Sequence, residues 1–218
     1  MKALQKIHDY MREVLGSTDE EIKNMDGSSV SVAEEIAMYA HHGQHRENGE
    51  AYLAHPFNCM LLFQNFVGIV PDDYFCIDKD LMEEHGIPFD GVQEVCMLHD
   101  VPEDTELTIE DIAEVYSELG LQNYFDLYIK TPLLFITHDK SVPYEDYIRI
   151  VNKHPVSAIV KMMDMTDNSN LLGLASLDEE KIARTKRYVD YIKTINDKYH
   201  FIENVYNYKI EFNNRKKQ

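Results

Sequence analysis

Positive charge is scarce in this sequence. Its 21 Lys and Arg residues face 39 Asp and Glu residues, which leaves a formal net charge of −18 at pH 7. Such a surface repels nucleic acid at long range, and no basic stripe interrupts the acidic background. The basic run at residues 215–217 is too short to change this. We therefore expect no nucleic-acid partner, and a phosphorylated substrate would need cations inside its pocket.

Long apolar runs and closely spaced cysteines are also missing. No stretch approaches the roughly 20 apolar residues that cross a bilayer, and the N-terminal residues lack the apolar core of a signal peptide. These absences predict a cytoplasmic protein without a membrane partner. Cys59, Cys76 and Cys96 are too widely spaced for a disulfide framework or a zinc ribbon. Their apolar and aromatic neighbours predict buried free thiols.

Helical periodicity, by contrast, runs through most of the chain. Apolar residues recur at helical spacing, and no segment has the alternation of a convincing strand. The sequence therefore predicts an all-α fold, a helical bundle with a long C-terminal helix. Helices are expected at residues 2–15, 18–22, 31–45, 56–67, 79–85, 89–100, 108–120, 122–130, 143–153, 155–165 and 178–207.

The same pattern suggests three units. Residues 1–30 are expected to form an N-terminal helical extension, and residues 31–175 the principal domain. Residues 68–90, with Gly68, Pro71, Gly86 and Pro88, form an inserted connector between two helices of that domain. Residues 176–218 are expected to pack on the domain or on a second subunit, so a homo-oligomer is one expectation.

One short segment concentrates the groups that bind metals or move protons. His99 and Asp100 end an apolar helix, because Pro102 disfavours helical geometry just before it. Adjacent helical residues point about 100° apart, so both can touch one ion only beside the helix end. Glu103 and Asp104 follow on a turn and can reach the same place. The other two His-Asp pairs, at residues 8–9 and 138–139, are interpreted as ordinary structural residues.

Two further side chains complete a metal-ligand set. His55 precedes Pro56 at the start of an apolar helix, and Asp164 is the single acid at the end of another. Buried carboxylates are rare unless they are paired or bound to metal. Together with His99 and Asp100, these residues supply two imidazoles and two carboxylates. That set suits Mn²⁺, Fe²⁺ or Co²⁺ with coordination positions left open for water.

The order of these motifs resembles that of the HD-domain phosphohydrolases. Within that superfamily the match is closest to the alarmone (ppGpp) pyrophosphohydrolases of the Rel/Spo type. Three segments carry the resemblance: GQHRENGEAYLAHP at residues 43–56, HDVPEDT at residues 99–105, and VKMMD at residues 160–164 with Asn168 four positions later. The resemblance extends over roughly residues 31–171.

The resemblance implies a role for each position. His55, His99, Asp100 and Asp164 would hold the ion, in that family usually Mn²⁺. The implied reaction hydrolyses the 3′-pyrophosphate of ppGpp and releases pyrophosphate.

The remaining site residues are implied in the same way. Glu103 and Asp104 would orient or deprotonate the attacking water. Arg46 would lie near the pyrophosphate, and Asn168 would help to hold the nucleotide. For Lys161, phosphate binding and a surface salt bridge are both open.

The sequence departs from that family at the phosphate end. Glu47, Ala51, Met165 and Asn170 replace residues that are usually basic or, at position 51, proline. All four expected metal ligands are present, while several of the residues that would bind a polyphosphate in that family are replaced. Two alternatives therefore stay open: a phosphohydrolase for another nucleotide, such as a nucleoside monophosphate, and a non-catalytic nucleotide or metal sensor.

Overall fold

Helices make up the regular structure of residues 2–68 and 77–217, which are the residues that the computed structural model describes. The predicted all-α bundle is confirmed, since the described residues contain no β-strand and only one isolated bridge, between His45 and Ala51. The helices are α1 Ala3–Glu13, α2 Asp19–Met25, α3 Ser29–Ala40, α4 Ala54–Val67, α5 Lys79–Glu84, α6 Val92–Leu98, α7 Val101–Asp104, α8 Ile109–Glu118, α9 Gln122–Tyr124, α10 Lys130–Ile136, α11 Tyr144–Val151, α12 Pro155–Asn168, α13 Glu179–Tyr199 and α14 Phe201–Arg215.

Two helices begin at capping boxes. The Thr18 side chain accepts a hydrogen bond from the Glu21 backbone N–H, and the Glu21 carboxylate accepts one from the Thr18 backbone N–H. Thr108 and Asp111 form the same reciprocal pair at the start of α8. Each box satisfies backbone donors that the first helical turn leaves free. The sequence predicted the Thr108 box, and it left Ser17 and Thr18 open as the cap of α2.

Several helix ends differ from the prediction by a few residues, and two differences change the course of the chain. Helix α3 stops at Ala40, short of the expected residue 45, and Gly43 in the following turn has a φ of +74°. The expected final helix is divided in two, because His200 adopts a φ of +54° between α13 and α14. Positive φ is uncommon for a non-glycine residue, so the pattern of apolar residues gave no warning of this break.

The helix expected at residues 122–130 also continues further. A π-helical segment, Phe125–Ile129, joins α9 to α10, so helical structure runs on to Ile136. Gly91 lies against this segment, and a Cβ at that position would stand 2.2 Å from the Tyr128 carbonyl oxygen. Only glycine permits such an approach with the φ of +80° seen here.

The buried helix α12 positions the site. Almost every residue from Val156 to Met165 is buried, and α12 packs against α4, α6 and α13. The start of α4, the end of α6 and the last turns of α12 consequently meet in one region. These are the places where the sequence has His55, His99 with Asp100, and Asp164.

The other sequence expectations have mixed outcomes. Cys59 and Cys96 are buried free thiols as predicted, while Cys76 lies outside the described residues. Helix α5 lies where the connector was expected to contain one, and residues 69–76 of that connector are not described. None of the described helices is both long and apolar enough to cross a membrane. The division into three units stays a prediction.

Candidate metal centre

Four predicted ligand side chains converge at the junction of α4, α6 and α12. His55 Nε2 lies 3.2 Å from Asp164 Oδ1 and 3.5 Å from Asp100 Oδ2. His99 Nε2 lies 3.3 Å from Asp100 Oδ1 and 4.0 Å from Asp164 Oδ1. The two imidazole rings meet edge to face, with centroids 5.2 Å apart. The side chains come from positions as far apart as residues 55 and 164, so only the fold can assemble them.

Hydrogen bonds orient both imidazoles in the same sense. His99 Nδ1 lies 2.8 Å from the Cys96 carbonyl oxygen, and His55 Nδ1 lies 2.7 Å from Asp167 Oδ2. Carbonyl and carboxylate oxygens only accept, so each Nδ1 carries the proton and donates. Each Nε2 then faces the two carboxylates and is the nitrogen left to bind a proton or a cation. Metal-binding histidines in proteins are commonly fixed in this way.

The residues present fit a divalent cation. His99 is 1% exposed, and its Nε2 atom has no hydrogen-bond partner among the described residues. An unpaired lone pair in a buried site is costly unless something else satisfies it. A cation between His55, His99, Asp100 and Asp164 would satisfy it and offset the carboxylate charges. Imidazole and carboxylate together suit a transition-metal ion of intermediate hardness.

The pKa values of the acidic ligands favour the charged forms. Burial by itself would raise the pKa of Asp164, but Lys161, His55 and His99 lower it well below its ordinary value. Burial also opposes the charge on Asp100, yet His99, His55 and the Tyr52 hydroxyl leave its pKa lowered. Both carboxylates are therefore ionised at neutral pH, as metal ligands must be.

The pKa of His55 reflects the same surroundings. Burial would lower this pKa, but the nearby Cys59 sulfur and the carboxylates of Asp164 and Asp167 raise it well above its usual range. In the absence of a metal, a proton on Nε2 partly neutralises the acids. A divalent cation would compete for the same position.

Cys59, another residue type that can bind a metal ion, lies beside the candidate centre. Its sulfur lies 3.9 Å from His55 Nδ1, and one ligand atom from each of His55, Cys59 and His99 falls within a 4.8 Å group. Burial raises the pKa of the Cys59 thiol to about 11, so the thiolate is disfavoured at neutral pH. Since the thiolate is the form that binds metal, the ionised carboxylates are the better ligands.

Asp167 is a residue that sequence reasoning missed. Its Oδ2 accepts hydrogen bonds from His55 Nδ1 and from Arg46 at 2.8 Å, and its Oδ1 accepts one from Asn58 at 3.1 Å. The available signal was its position three residues after Asp164 on one helix, which places both acids on one face. Asp167 thus fixes the orientation of His55 through its Nδ1 atom.

Arg46 and Asn168 belong to the same network. Arg46 donates from its second terminal nitrogen to Asn168 Oδ1 at 2.7 Å, and Asn168 Nδ2 donates to Asp164 Oδ1 at 2.5 Å. A chain of hydrogen bonds therefore runs from the loop after α3 to the acid of α12. The structure brings both residues to the centre, while their predicted contacts with a substrate stay a prediction.

Tyr52 connects the centre to Asp104. The Tyr52 hydroxyl lies 2.7 Å from Asp100 Oδ2 and 3.0 Å from Asp104 Oδ2. The ring stacks on His41 with centroids 4.7 Å apart. Burial, followed by the two carboxylates, raises the pKa of Tyr52, so the hydroxyl is neutral and its single proton is shared between these two acids. Tyr52 was part of the resemblance, but no such role was assigned to it.

Glu103, which precedes Asp104 in α7, has a different partner. Its Oε1 accepts a hydrogen bond of 2.7 Å from the His138 backbone N–H. Burial raises the pKa of Glu103 despite that hydrogen bond and the nearby Lys161. A raised pKa makes this carboxylate a stronger proton acceptor than an ordinary glutamate.

Lys161 forms a salt bridge, but this salt bridge is not on the surface as one of the two predictions had it. Its ammonium lies 2.7 Å from Asp164 Oδ2, but only 9% of the residue is exposed, so the salt bridge is buried and the surface interpretation is wrong. Tyr147 and Tyr144 place their ring centroids 5.0 Å and 5.9 Å from the same nitrogen. A charge held in this way is available to a bound anion only from the cavity side.

A cavity of about 430 Å³ opens onto the centre, and His55, Asp100 and Asp164 are among its lining residues. Glu103 and Asp104, which were predicted to act on the attacking water, are not lining residues of this cavity. The volume is in the range of small-molecule sites.

Cationic side chains from three parts of the chain face this cavity. Arg46, Lys161 and Arg184 all line it, and the Nε atom of Arg184 is buried without a hydrogen-bond partner in the described residues. Arg184 belongs to α13, which the sequence indicated only as a packing helix. Glu47 also lines the cavity and forms an ion pair of 3.0 Å with Lys181.

Comparison with known proteins gives a likeness of fold. No family model matches the chain, and no curated protein matches it either. Among solved structures, a metazoan ortholog of SpoT, which hydrolyses ppGpp and plays a role in starvation responses, has a TM-score of 0.53 and 17% sequence identity. The likeness covers 84% of this chain and 95% of that one. The chain therefore shares the helical architecture of that protein.

Proposed function

We propose that this protein is a metal-dependent phosphohydrolase that acts on a phosphorylated nucleotide, with the 3′-pyrophosphate of ppGpp as its leading substrate. The observation that carries the proposal is the convergence of His55, His99, Asp100 and Asp164 beside a cavity with cationic side chains. The shared fold with a protein that hydrolyses ppGpp supports it.

The four ligands would hold a divalent cation, with Mn²⁺ expected first and Fe²⁺ or Co²⁺ as alternatives. The chemistry that such a cation supplies when bound is Lewis-acid activation of water and of a phosphoryl oxygen. Asp167 and the Cys96 carbonyl keep the Nε2 lone pairs of His55 and His99 directed at the ligand position. They act as positioning groups.

The cavity lining supplies the charge that binds a phosphate. Arg46, Lys161 and Arg184 offset the acidic surface locally, and Arg184 has a free Nε–H to donate. A guanidinium presents a planar pair of donors that matches phosphate oxygens. In this proposal these three side chains bind the anion, and Asn168 extends the network toward the nucleotide.

Proton transfer falls to the acids of α7. The raised pKa of Glu103 makes it a stronger proton acceptor than an ordinary glutamate, and Asp104 is linked to Asp100 through the Tyr52 hydroxyl. Both carboxylates lie outside the cavity lining, so each would act through water or through Tyr52. Closure of the site around a substrate would shorten those paths.

A second candidate is hydrolysis of a simpler nucleotide phosphoester. Glu47 places a carboxylate on the cavity among its cationic side chains, which makes the lining less favourable for a polyphosphate. A nucleoside monophosphate needs fewer cationic contacts than ppGpp. This alternative keeps the same metal centre and the same acids.

The test is a product assay on the Mn²⁺-loaded protein with ppGpp and a panel of nucleoside monophosphates. Release of pyrophosphate from ppGpp supports the leading substrate, and release of inorganic phosphate from a monophosphate supports the second candidate. Tight nucleotide binding without turnover of any compound contradicts both and favours a sensor.

Asp100→Ala is the decisive variant in this assay. It should abolish activity and metal content together, because Asp100 approaches both imidazoles of the set. Asp139→Ala is the matched control, since Asp139 follows His138 in an exposed loop and caps the Ser141 backbone N–H. Full activity in Asp100→Ala would refute the proposed centre.

A further inference from the structure

A second cluster of ligand-type side chains lies between the N-terminal helices. His8 of α1, Asp26 directly after α2 and Glu35 of α3 each bring one nitrogen or oxygen into a group whose atoms lie within 4.8 Å of one another. His8 Nε2 is 3.1 Å from Asp26 Oδ1, and both side chains are less than one-fifth exposed. None of the three lines the cavity of the candidate metal centre.

Glu35 is the anomalous member of this cluster. The residue is 1% exposed, and its Oε1 atom is buried without a hydrogen-bond partner among the described residues. A buried carboxylate oxygen that lacks a partner carries the full cost of its desolvation. Burial, together with the charges of Asp26 and Glu34, raises the pKa of Glu35 to about 7. A cation beside the unpaired Oε1 atom would offset the cost of ionising Glu35 in this buried position.

We propose that His8, Asp26 and Glu35 form a second metal site, which binds a divalent transition-metal cation such as Zn²⁺ or Co²⁺. One imidazole and two carboxylates are ligands that these ions accept, with water completing the shell. The cation would satisfy the unpaired Glu35 oxygen and offset the charge of both acids. The sequence did not predict this site, since the His-Asp pair at residues 8–9 was interpreted as ordinary structural residues.

The site would have a structural consequence. It joins α1, the end of α2 and α3, and α3 leads directly into the loop that contains Arg46. Metal binding to folded protein alone stabilises that state by mass action. A cation here would hold the N-terminal helices on α3. The inference does not depend on the proposed function.

Equilibrium dialysis of the metal-stripped full-length chain against Co²⁺, with metal counted per chain, tests the site. Glu35→Gln preserves the shape of the side chain and removes its charge, so this variant should bind one Co²⁺ fewer than the unmodified protein. Glu34→Gln is the matched control, because Glu34 is the neighbouring acid on the same helix but is not part of the cluster. It should bind as much Co²⁺ as the unmodified protein.

His8→Gln provides a second route to the same answer, because it removes the imidazole without altering the buried acid. It too should lose one Co²⁺ per chain, and in both variants added Zn²⁺ should raise the melting temperature less than it does in the unmodified protein. Equal Co²⁺ binding by the unmodified protein, Glu35→Gln and His8→Gln would overturn the proposal.

Asp164→Asn separates this site from the candidate metal centre. If Asp164→Asn reduces Co²⁺ binding and Glu35→Gln reduces it further, both sites exist. If Asp164→Asn changes nothing while Glu35→Gln loses one Co²⁺, the second site stands and the candidate centre fails.

Discussion

Asp167 offers the sharpest test of how the candidate metal centre is built. Both of its oxygens accept hydrogen bonds from donors: His55 and Arg46 share Oδ2, and Asn58 binds Oδ1. An asparagine has only one acceptor oxygen, so Asp167→Asn must turn an NH₂ group toward at least one of these donors. It also removes the negative charge that favours the Nδ1–H form of His55.

The expected effect is on metal affinity. Loss of a partner that orients a ligating histidine typically costs about 10- to 100-fold in metal affinity. This corresponds to about 1.4–2.8 kcal/mol of binding free energy. Because Arg46 is released from the carboxylate as well, we place Asp167→Asn near the upper end of that range. Isothermal titration of the metal-free protein with Mn²⁺ measures it directly.

The control is the same Asp→Asn substitution at an exposed position outside the candidate metal centre. Asp146→Asn removes an exposed carboxylate that pairs with Arg149, and it should leave Mn²⁺ affinity unchanged. Circular dichroism at the titration temperature confirms that both variants are folded. If folded Asp167→Asn binds Mn²⁺ as tightly as the unmodified protein, then Asp167 does not orient a metal ligand, and the arrangement of His55 has another cause.

Three further outcomes are expected. Glu103→Gln keeps an oxygen that can accept from the His138 backbone N–H, but the amide cannot take up a proton. The metal should therefore stay bound while kcat falls by about 10²- to 10⁴-fold. Loss of the metal in this variant would show that the role of Glu103 is misassigned. Tyr52→Phe removes the hydroxyl that links Asp100 to Asp104, so kcat should fall by a larger factor than metal content does. Equal losses of kcat and of bound metal would contradict a role for this hydroxyl in proton transfer. Glu35 has a folded-state pKa of about 7 against an ordinary value of 4.5, so the folded state binds the extra proton between these values. In chelator-treated protein, the free energy of unfolding should therefore decline as pH rises from about 4.5 to 7. Urea titrations should show a smaller decline in the free energy of unfolding of Glu35→Gln over this pH range. The same decline in Glu35→Gln and in the unmodified protein would show that Glu35 is not the group that takes up this proton.

Local signals predicted much of the helical architecture. Capping boxes at Thr18 and Thr108 identify helix starts because they depend on residues three positions apart. The break at His200 could not be predicted in this way, because its φ of +54° contradicts the ordinary preference of a histidine. Neither could the π-helical segment before α10, which accompanies a close approach to Gly91. Such features arise from contacts between distant segments.

For the candidate centre, the sequence supplied residue types and the fold supplied neighbours. An acid in an apolar helix made Asp164 stand out, and the structure places it beside both histidines. Their role as ligands stays a prediction, as does association of two chains through the C-terminal segment. Asp167, Tyr52 and Arg184 were not assigned, because each gains its importance only from a partner far away in the chain.

By itself, the sequence determined the helical class, the acidic surface and the inventory of imidazoles and carboxylates. These properties depend on composition and on spacing within single helices. The tertiary structure alone decided which groups share a volume: it turned Nε2 of two histidines toward two acids, buried Lys161 against Asp164, and brought Arg184 of α13 to the same cavity. The physical reason is that hydrogen bonds and charges act over a few ångströms, whereas the groups concerned are separated by up to about 130 positions along the chain.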